Sequence, residues 1–135
     1  MNRGAWECVV AVVDDDEAVR RALARLIRSL GFEAQAFATG DEFLASLARR
    51  EPDCLVLDLH MPHLSGFEVQ ERLAQAGVRV PIIVLTGHHS PEGERRVRGA
   101  GAAAYLRKPV DDAVLRDTIA GVVRGEGTEF QERET

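Results

Sequence analysis

The sequence predicts an α/β fold, a doubly wound five-stranded parallel sheet with helices on both faces. Three observations predict it. Five short apolar runs recur along the 135 residues, and helical patterns with apolar residues at spacings of three and four separate them. The strongest runs are continuously apolar rather than alternating, as expected of strands covered on both sides. Strand and helix alternate five times, and parallel neighbours need such helical crossovers.

The first run is Cys8-Val9-Val10-Ala11-Val12-Val13. The helix after it carries Val19, Leu23, Leu26, Ile27 and Leu30 on one face, with Arg20, Arg21, Arg25 and Arg28 on others, and Gly31 stops it. Glu33 to Phe37 is a weaker second strand. Asp41 to Arg50 follows as a helix, with Phe43, Leu44 and Leu47 on one side. Cys54-Leu55-Val56-Leu57 is the third strand. The next helix, Phe67 to Ala76, carries Phe67, Val69 and Leu73 and ends at Gly77. Ile82-Ile83-Val84-Leu85 is the fourth strand; Ser90 then caps a helix with Pro91 at its first position. Ala103 to Leu106 is the fifth strand, and Asp111 to Val123 the last helix, with Val114, Leu115, Ile119 and Val122 inward. Residues 1–5 and 125–135 are polar and aperiodic, and read as tails; the second could be a linker stub. Trp6 reads as an edge packing residue.

The composition, 45% hydrophobic and 29% charged, is that of an ordinary globular domain. A net charge of -5 argues against a nucleic-acid surface, which needs a concentrated cationic face. No apolar run approaches the roughly 20 residues that span a bilayer, and Met1 to Glu7 lacks the apolar stretch of a secretion signal. The expected location is therefore the cytoplasm. Cys8 and Cys54 read as small buried hydrophobes in a reducing compartment, not as a disulfide or metal pair.

In a doubly wound sheet, ligands bind beyond the carboxyl ends of the strands. Asp14, Asp15 and Asp16 follow the first strand, Asp58 the third, Thr86 and Gly87 the fourth, and Arg107, Lys108 and Pro109 the fifth. Carboxylates gathered there repel: two unit charges about 4 Å apart cost roughly 4 kcal/mol at an effective dielectric of about 20. A proton, a lysine or a divalent cation must offset that. Few carboxylates with open coordination positions suit Mg2+, which keeps waters and favours phosphate oxygens. A free carboxylate beside it could attack phosphorus, with Lys108 and Thr86 meeting the transferring oxygens. Taken singly, an acidic turn, a strand-end threonine or a Lys-Pro turn is commonplace. Together, at four strand ends, they point to phosphoryl chemistry.

Four segments carry a family resemblance: Val13-Asp14-Asp15-Asp16-Glu17-Ala18-Val19-Arg20, Asp58-Leu59-His60-Met61-Pro62-His63-Leu64-Ser65-Gly66-Phe67-Glu68, Leu85-Thr86-Gly87-His88 and Lys108-Pro109. They resemble the receiver domains of two-component response regulators, the CheY-like superfamily, and the Leu85 to His88 stretch resembles receivers of the nitrogen-fixation-regulator type. The likeness covers about residues 7–124, and it marks 6–124 as the receiver unit. It implies a flavodoxin-like sheet in the order 2-1-3-4-5 with five helices. It implies that Asp58 is the phosphoacceptor, that Asp15 ligates Mg2+ directly with Asp14 acting largely through water, and that the His60 backbone carbonyl is a further ligand. Thr86 and Lys108 would engage the phosphoryl oxygens, Tyr105 would be the switch aromatic, and the Lys108–Pro109 bond would be cis.

The resemblance further implies a phosphohistidine donor on a sensor histidine kinase or phosphotransfer protein, self-catalysed phosphorylation and dephosphorylation, and no turnover substrate. The face made by the fourth helix, fifth strand and fifth helix would meet an output domain or a second copy. His60 and His88 stand two positions after Asp58 and Thr86, where they could set the lifetime of the acyl phosphate or be plain loop histidines. The arginines of the fourth helix, Arg95, Arg96 and Arg98, read as a solvated face or as intersubunit ion-pair partners.

Three other readings fit less of the chain. Asp14-Asp15-Asp16 formally matches the D-x-D opening of haloacid-dehalogenase phosphatases, but Asp111-Asp112 follows Lys108 too closely and the Asp58 segment would go unexplained. A pseudo-receiver would be expected to have lost a member of the Asp14, Asp15, Asp58, Thr86, Lys108 set. A flavin-binding flavodoxin would not place three aspartates where the FMN phosphate sits.

Overall fold

The structure, a computed structural model, describes residues 8–125. Strands β1 (Val9–Val13), β2 (Glu33–Phe37), β3 (Cys54–Leu57), β4 (Ile82–Thr86) and β5 (Ala104–Arg107) form one sheet in the order β2-β1-β3-β4-β5, and every pairing is parallel. Helices α1 (Glu17–Ser29), α2 (Gly40–Ser46), α3 (Gly66–Gln75), α4 (Pro91–Gly99) and α5 (Asp112–Val123) make the crossovers. The flavodoxin-like order read from the sequence is the one observed. The expected tails and Trp6 lie outside the described residues, apart from Gly125.

Alternation of side chains along each strand splits the core in two. Ala11, Val13, Leu55, Leu57, Ile82, Val84 and Tyr105 face the layer that includes Phe43, Val69, Leu73 and Val97. Val10, Val12, Val56, Ile83, Leu85 and Ala104 face Leu23, Ile27, Leu115, Ile119 and Val122. Both faces of β1, β3 and β4 are buried, which is why these strands read as unbroken apolar runs.

Several boundaries and one orientation differ from the sequence reading. α2 ends at Ser46, because the following turn tightens into i→i−3 bonds from Leu47 and Arg49. Thr86 and Arg107 belong to their strands rather than following them. Asp111 caps α5. Val114, expected to point inward, is 43% exposed, and Thr118 is buried in α5's inner face. Thr118 can be buried because its hydroxyl donates to the Val114 carbonyl at 2.7 Å. Both cysteines are free thiols. Cys54 is a buried hydrophobe as expected, its thiol pushed up to about 12 by burial, whereas Cys8 is only half-buried ahead of β1.

Candidate functional site

The strand register brings the polar residues together. Val13 pairs with Leu57, so Asp14 and Asp58 leave adjacent strands at the same level, and the Asp58 N–H donates to the Val13 carbonyl at 3.0 Å. On the other side, Thr86 pairs with Arg107, and the Lys108 N–H donates to the Thr86 carbonyl at 2.8 Å. The Lys108–Pro109 bond is cis.

Asp14 is 2% exposed, and both its carboxylate oxygens are engaged. Oδ1 accepts from the Asp16 N–H at 2.9 Å and Oδ2 from the Lys108 ammonium at 2.7 Å. Its carbonyl accepts from the Arg20 guanidinium at 2.8 Å. Asp16, the third acid of the triplet, does something else: it caps α1, accepting from the Ala18 and Val19 N–H groups. Asp15 is exposed.

Asp58 is 5% exposed, and Lys108 Nζ lies 3.8 Å from its Oδ1. Burial, then the negative charge of Asp14, push its carboxyl up to about 6, against the opposing pull of Lys108. Carboxylate oxygens of Asp14, Asp15 and Asp58 lie within 4.8 Å of one another. The hard oxygen donors of three acids fit a small divalent cation that keeps water or phosphate oxygens in its shell, and the Lys108 ammonium beside them suits phosphate oxygens.

Gly66, met in the sequence only inside a family motif, has a steric reason. A Cβ there would stand 2.3 Å from the Asp58 carbonyl oxygen and 2.8 Å from Leu59 Cα. The Gly66 N–H donates to the Leu59 carbonyl at 2.9 Å, so the start of α3 is pressed against the segment that carries Asp58.

Thr86 is fully buried, and its Oγ1 accepts from the His88 N–H at 3.1 Å. Tyr105, expected as the switch aromatic, is 7% exposed, with its hydroxyl 3.0 Å from Nδ1 of His89. His60 and His88 are both exposed, but their rings meet edge-to-face with centroids 4.9 Å apart. The His60 ring also meets Phe67 at 6.2 Å, and Arg96 stacks over Phe67 at 4.3 Å while pairing with Glu71 at 3.3 Å. Arg98 pairs with Glu94 within α4. The meetings between separate loops and helices carry no sequence signal, whereas the Arg98–Glu94 pair has the four-residue spacing of a single helix. Beside Lys108, an apolar groove of about 460 Å³ opens between α1 and α5, lined by Val19, Ala22, Leu26, Pro109 and Val110 among others.

The sequence matches the family described as "Response regulator receiver domain" over residues 10–120. It is 40% identical over 113 residues to Nodulation protein W of Bradyrhizobium diazoefficiens, an alignment covering 84% of this chain and 50% of that protein. The chain thus spans about half the length of such relatives. Among solved structures, it is similar to a response regulator receiver protein from Burkholderia phymatum, with 44% identity, a TM-score of 0.76, and 86% of this chain and 94% of that one covered. It is similar also to FixJ-N, with 32% identity, a TM-score of 0.80, and 87% and 94% covered.

Proposed function

The chain belongs to the response regulator receiver family, and from that premise we propose that it accepts a phosphoryl group on Asp58 from a phosphohistidine of a sensor kinase or phosphotransfer protein. The observation that carries this reading is the contrast between its two buried acids. Asp14 has both oxygens committed, one to a backbone N–H and one to Lys108. Asp58 stands beside the same ammonium at 3.8 Å, has its carboxyl pushed up by burial and by the charge of Asp14, and is the candidate nucleophile. The same contrast speaks against a phosphatase that would use Asp14 to attack.

In the transfer, an Asp58 carboxylate oxygen bonds to phosphorus as the phosphorus–nitrogen bond to the donor imidazole breaks. Lys108 neutralises a phosphoryl oxygen, and the Thr86 hydroxyl donates to another. Mg2+ would be held by the carboxylates of Asp15 and Asp58 and the His60 carbonyl, with Asp14 acting largely through water, and would supply charge neutralisation at the phosphoryl oxygens. The product carries nearly two added negative charges at Asp58. Thr86 is drawn toward them, and Tyr105, lying on the same strand pair, follows; the face of α4, β5 and α5 changes shape.

The chain is a signalling protein, with self-catalysed dephosphorylation its only turnover. The apolar groove beside Lys108 offers the donor protein a seat next to Asp58. Residues 6–124 are the receiver unit. Val114, exposed on α5, is available to a homodimer through the α4-β5-α5 face. The cytoplasm, where such donors act, is the location that fits; no helix among the described residues is long and apolar enough to cross a membrane.

The test is to trap the adduct. After incubation with acetyl phosphate and Mg2+, borohydride should convert an acyl phosphate at Asp58 into homoserine, readable by peptide mass mapping. Homoserine at another position, or none after a phosphoryl mass gain, contradicts the assignment.

A further inference from the structure

Between β4 and α4, three consecutive residues are each tied to a different part of the molecule. The His88 N–H donates to Thr86 Oγ1 at 3.1 Å. The His89 ring meets Tyr105, Nδ1 to hydroxyl 3.0 Å, with ring centroids 5.6 Å apart at 65°. Ser90 caps α4, its Oγ accepting from the Gly93 N–H at 2.9 Å. The loop therefore touches the buried threonine, the buried aromatic and the helix that follows.

Tyr105 sits inside the sheet–helix layer with Val84 and Val97, and it pairs in register with Val84. A buried phenol keeps its place when its hydroxyl has a partner and loses it when that oxygen is left unpaired. Among the described residues the hydrogen bond shown for the Tyr105 hydroxyl is the one to His89. The imidazole is half-buried, and it presents Nδ1 to the phenol in either tautomer: as acceptor of the O–H, or as donor to its oxygen.

We propose that His89 is a positioning residue that holds Tyr105 inward through this hydrogen bond, so that the β4–α4 loop and the β5 aromatic move as one unit. Displacing Thr86 pulls on His88, the neighbour of His89, and the displacement reaches Tyr105 through a bond as well as through packing. The significance for switching rests on the reading of Asp58 as phosphoacceptor; the bond and its effect on Tyr105 do not.

Tyr105 is the single tyrosine of the chain, so labelling with [13Cζ]tyrosine gives one resonance that reports its phenol. The full chain, unphosphorylated, is compared with His89→Phe, which keeps an aromatic edge without a hydrogen-bonding atom, and with His89→Gln, whose amide can bond the phenol again. The expected result is a shift of the His89→Phe resonance toward the value of solvent-exposed tyrosine, and its return toward the wild-type position in His89→Gln. An unchanged resonance in both variants overturns the proposal. Equal shifts in both also overturn it, because they assign the position of Tyr105 to ring packing alone. Since no phosphate is present, failure of Asp58 to accept phosphate leaves this readout intact and is detected separately by mass.

Discussion

The ammonium of Lys108 bridges the two buried acids, 2.7 Å from Oδ2 of Asp14 and 3.8 Å from Oδ1 of Asp58. Lys108 follows β5 while the two acids follow β1 and β3. Lys108→Gln should leave Asp14 buried without its charge partner. Because the Asp14 side chain is 2% exposed while that of Lys108 keeps 24%, the expected loss is about 1–3 kcal/mol, below that of a fully buried pair. Denaturant unfolding at neutral pH measures it. The same variant should bind Mg2+ more tightly in calorimetry, since a competing positive charge has gone, yet take up phosphate more slowly. Unchanged stability together with unchanged Mg2+ affinity would show that the bridge carries no energy.

Asp58 should make the metal-free protein less stable as pH rises. Its carboxyl titrates at about 6 when folded against 3.8 for the ordinary group, so the folded state holds the proton more tightly. That contribution is present below pH 3.8 and is lost as pH rises through about 6. Asp58→Asn has no such proton to lose. In chelator, it should therefore be more stable than wild type at neutral pH, by up to about 3 kcal/mol, with the advantage vanishing near pH 4. Thermal melts of both proteins across that range, with and without chelator, give the comparison. An advantage that is constant with pH would assign it to packing instead.

Gly66→Ala should damage the site from below. Its methyl would overlap the Asp58 carbonyl oxygen, and overpacking of this kind costs about 1–3 kcal/mol. Phosphate uptake should fall even at temperatures where the variant remains folded. Normal uptake in a folded Gly66→Ala protein would show that the segment after β3 can shift without moving the carboxylate.

The His60–His88 pair should shield the acyl phosphate from water. Their rings lie 4.9 Å apart, on the two loops that flank Asp58 and Thr86. His60→Ala and His88→Ala should each shorten the lifetime of the phosphorylated protein. The double variant should decay little faster than either single one, because one removal already opens the pair. Decay followed by intact mass gives all four rates, and a lifetime indifferent to both substitutions returns these residues to ordinary loop histidines.

The sheet and the acidic edge were legible in the sequence for one physical reason. Strands buried on both faces are apolar without interruption, so the runs of β1 and β3 stop abruptly where charge begins, and Asp14 and Asp58 are those stops. What was not legible lies where helical periodicity is ambiguous or where separate loops meet. Val114 and Thr118 occupy one stripe of α5, and only the covering neighbours decide that the threonine is buried and the valine exposed. The His89–Tyr105 bond joins residues 16 apart in the chain, on elements whose relative placement no local pattern encodes. Asp16 looked like a third member of the acid cluster, and the backbone conformation at the start of α1 makes it a cap.

The most direct measurement is intact mass after incubation with acetyl phosphate, with and without Mg2+, on wild type and Asp58→Asn. A single phosphoryl adduct that requires both Mg2+ and Asp58 is the predicted result. An adduct of equal yield on Asp58→Asn, or one indifferent to chelation, would contradict the account. So would a folded, Mg2+-binding wild type that takes no phosphate from acetyl phosphate or from a phosphorylated histidine kinase.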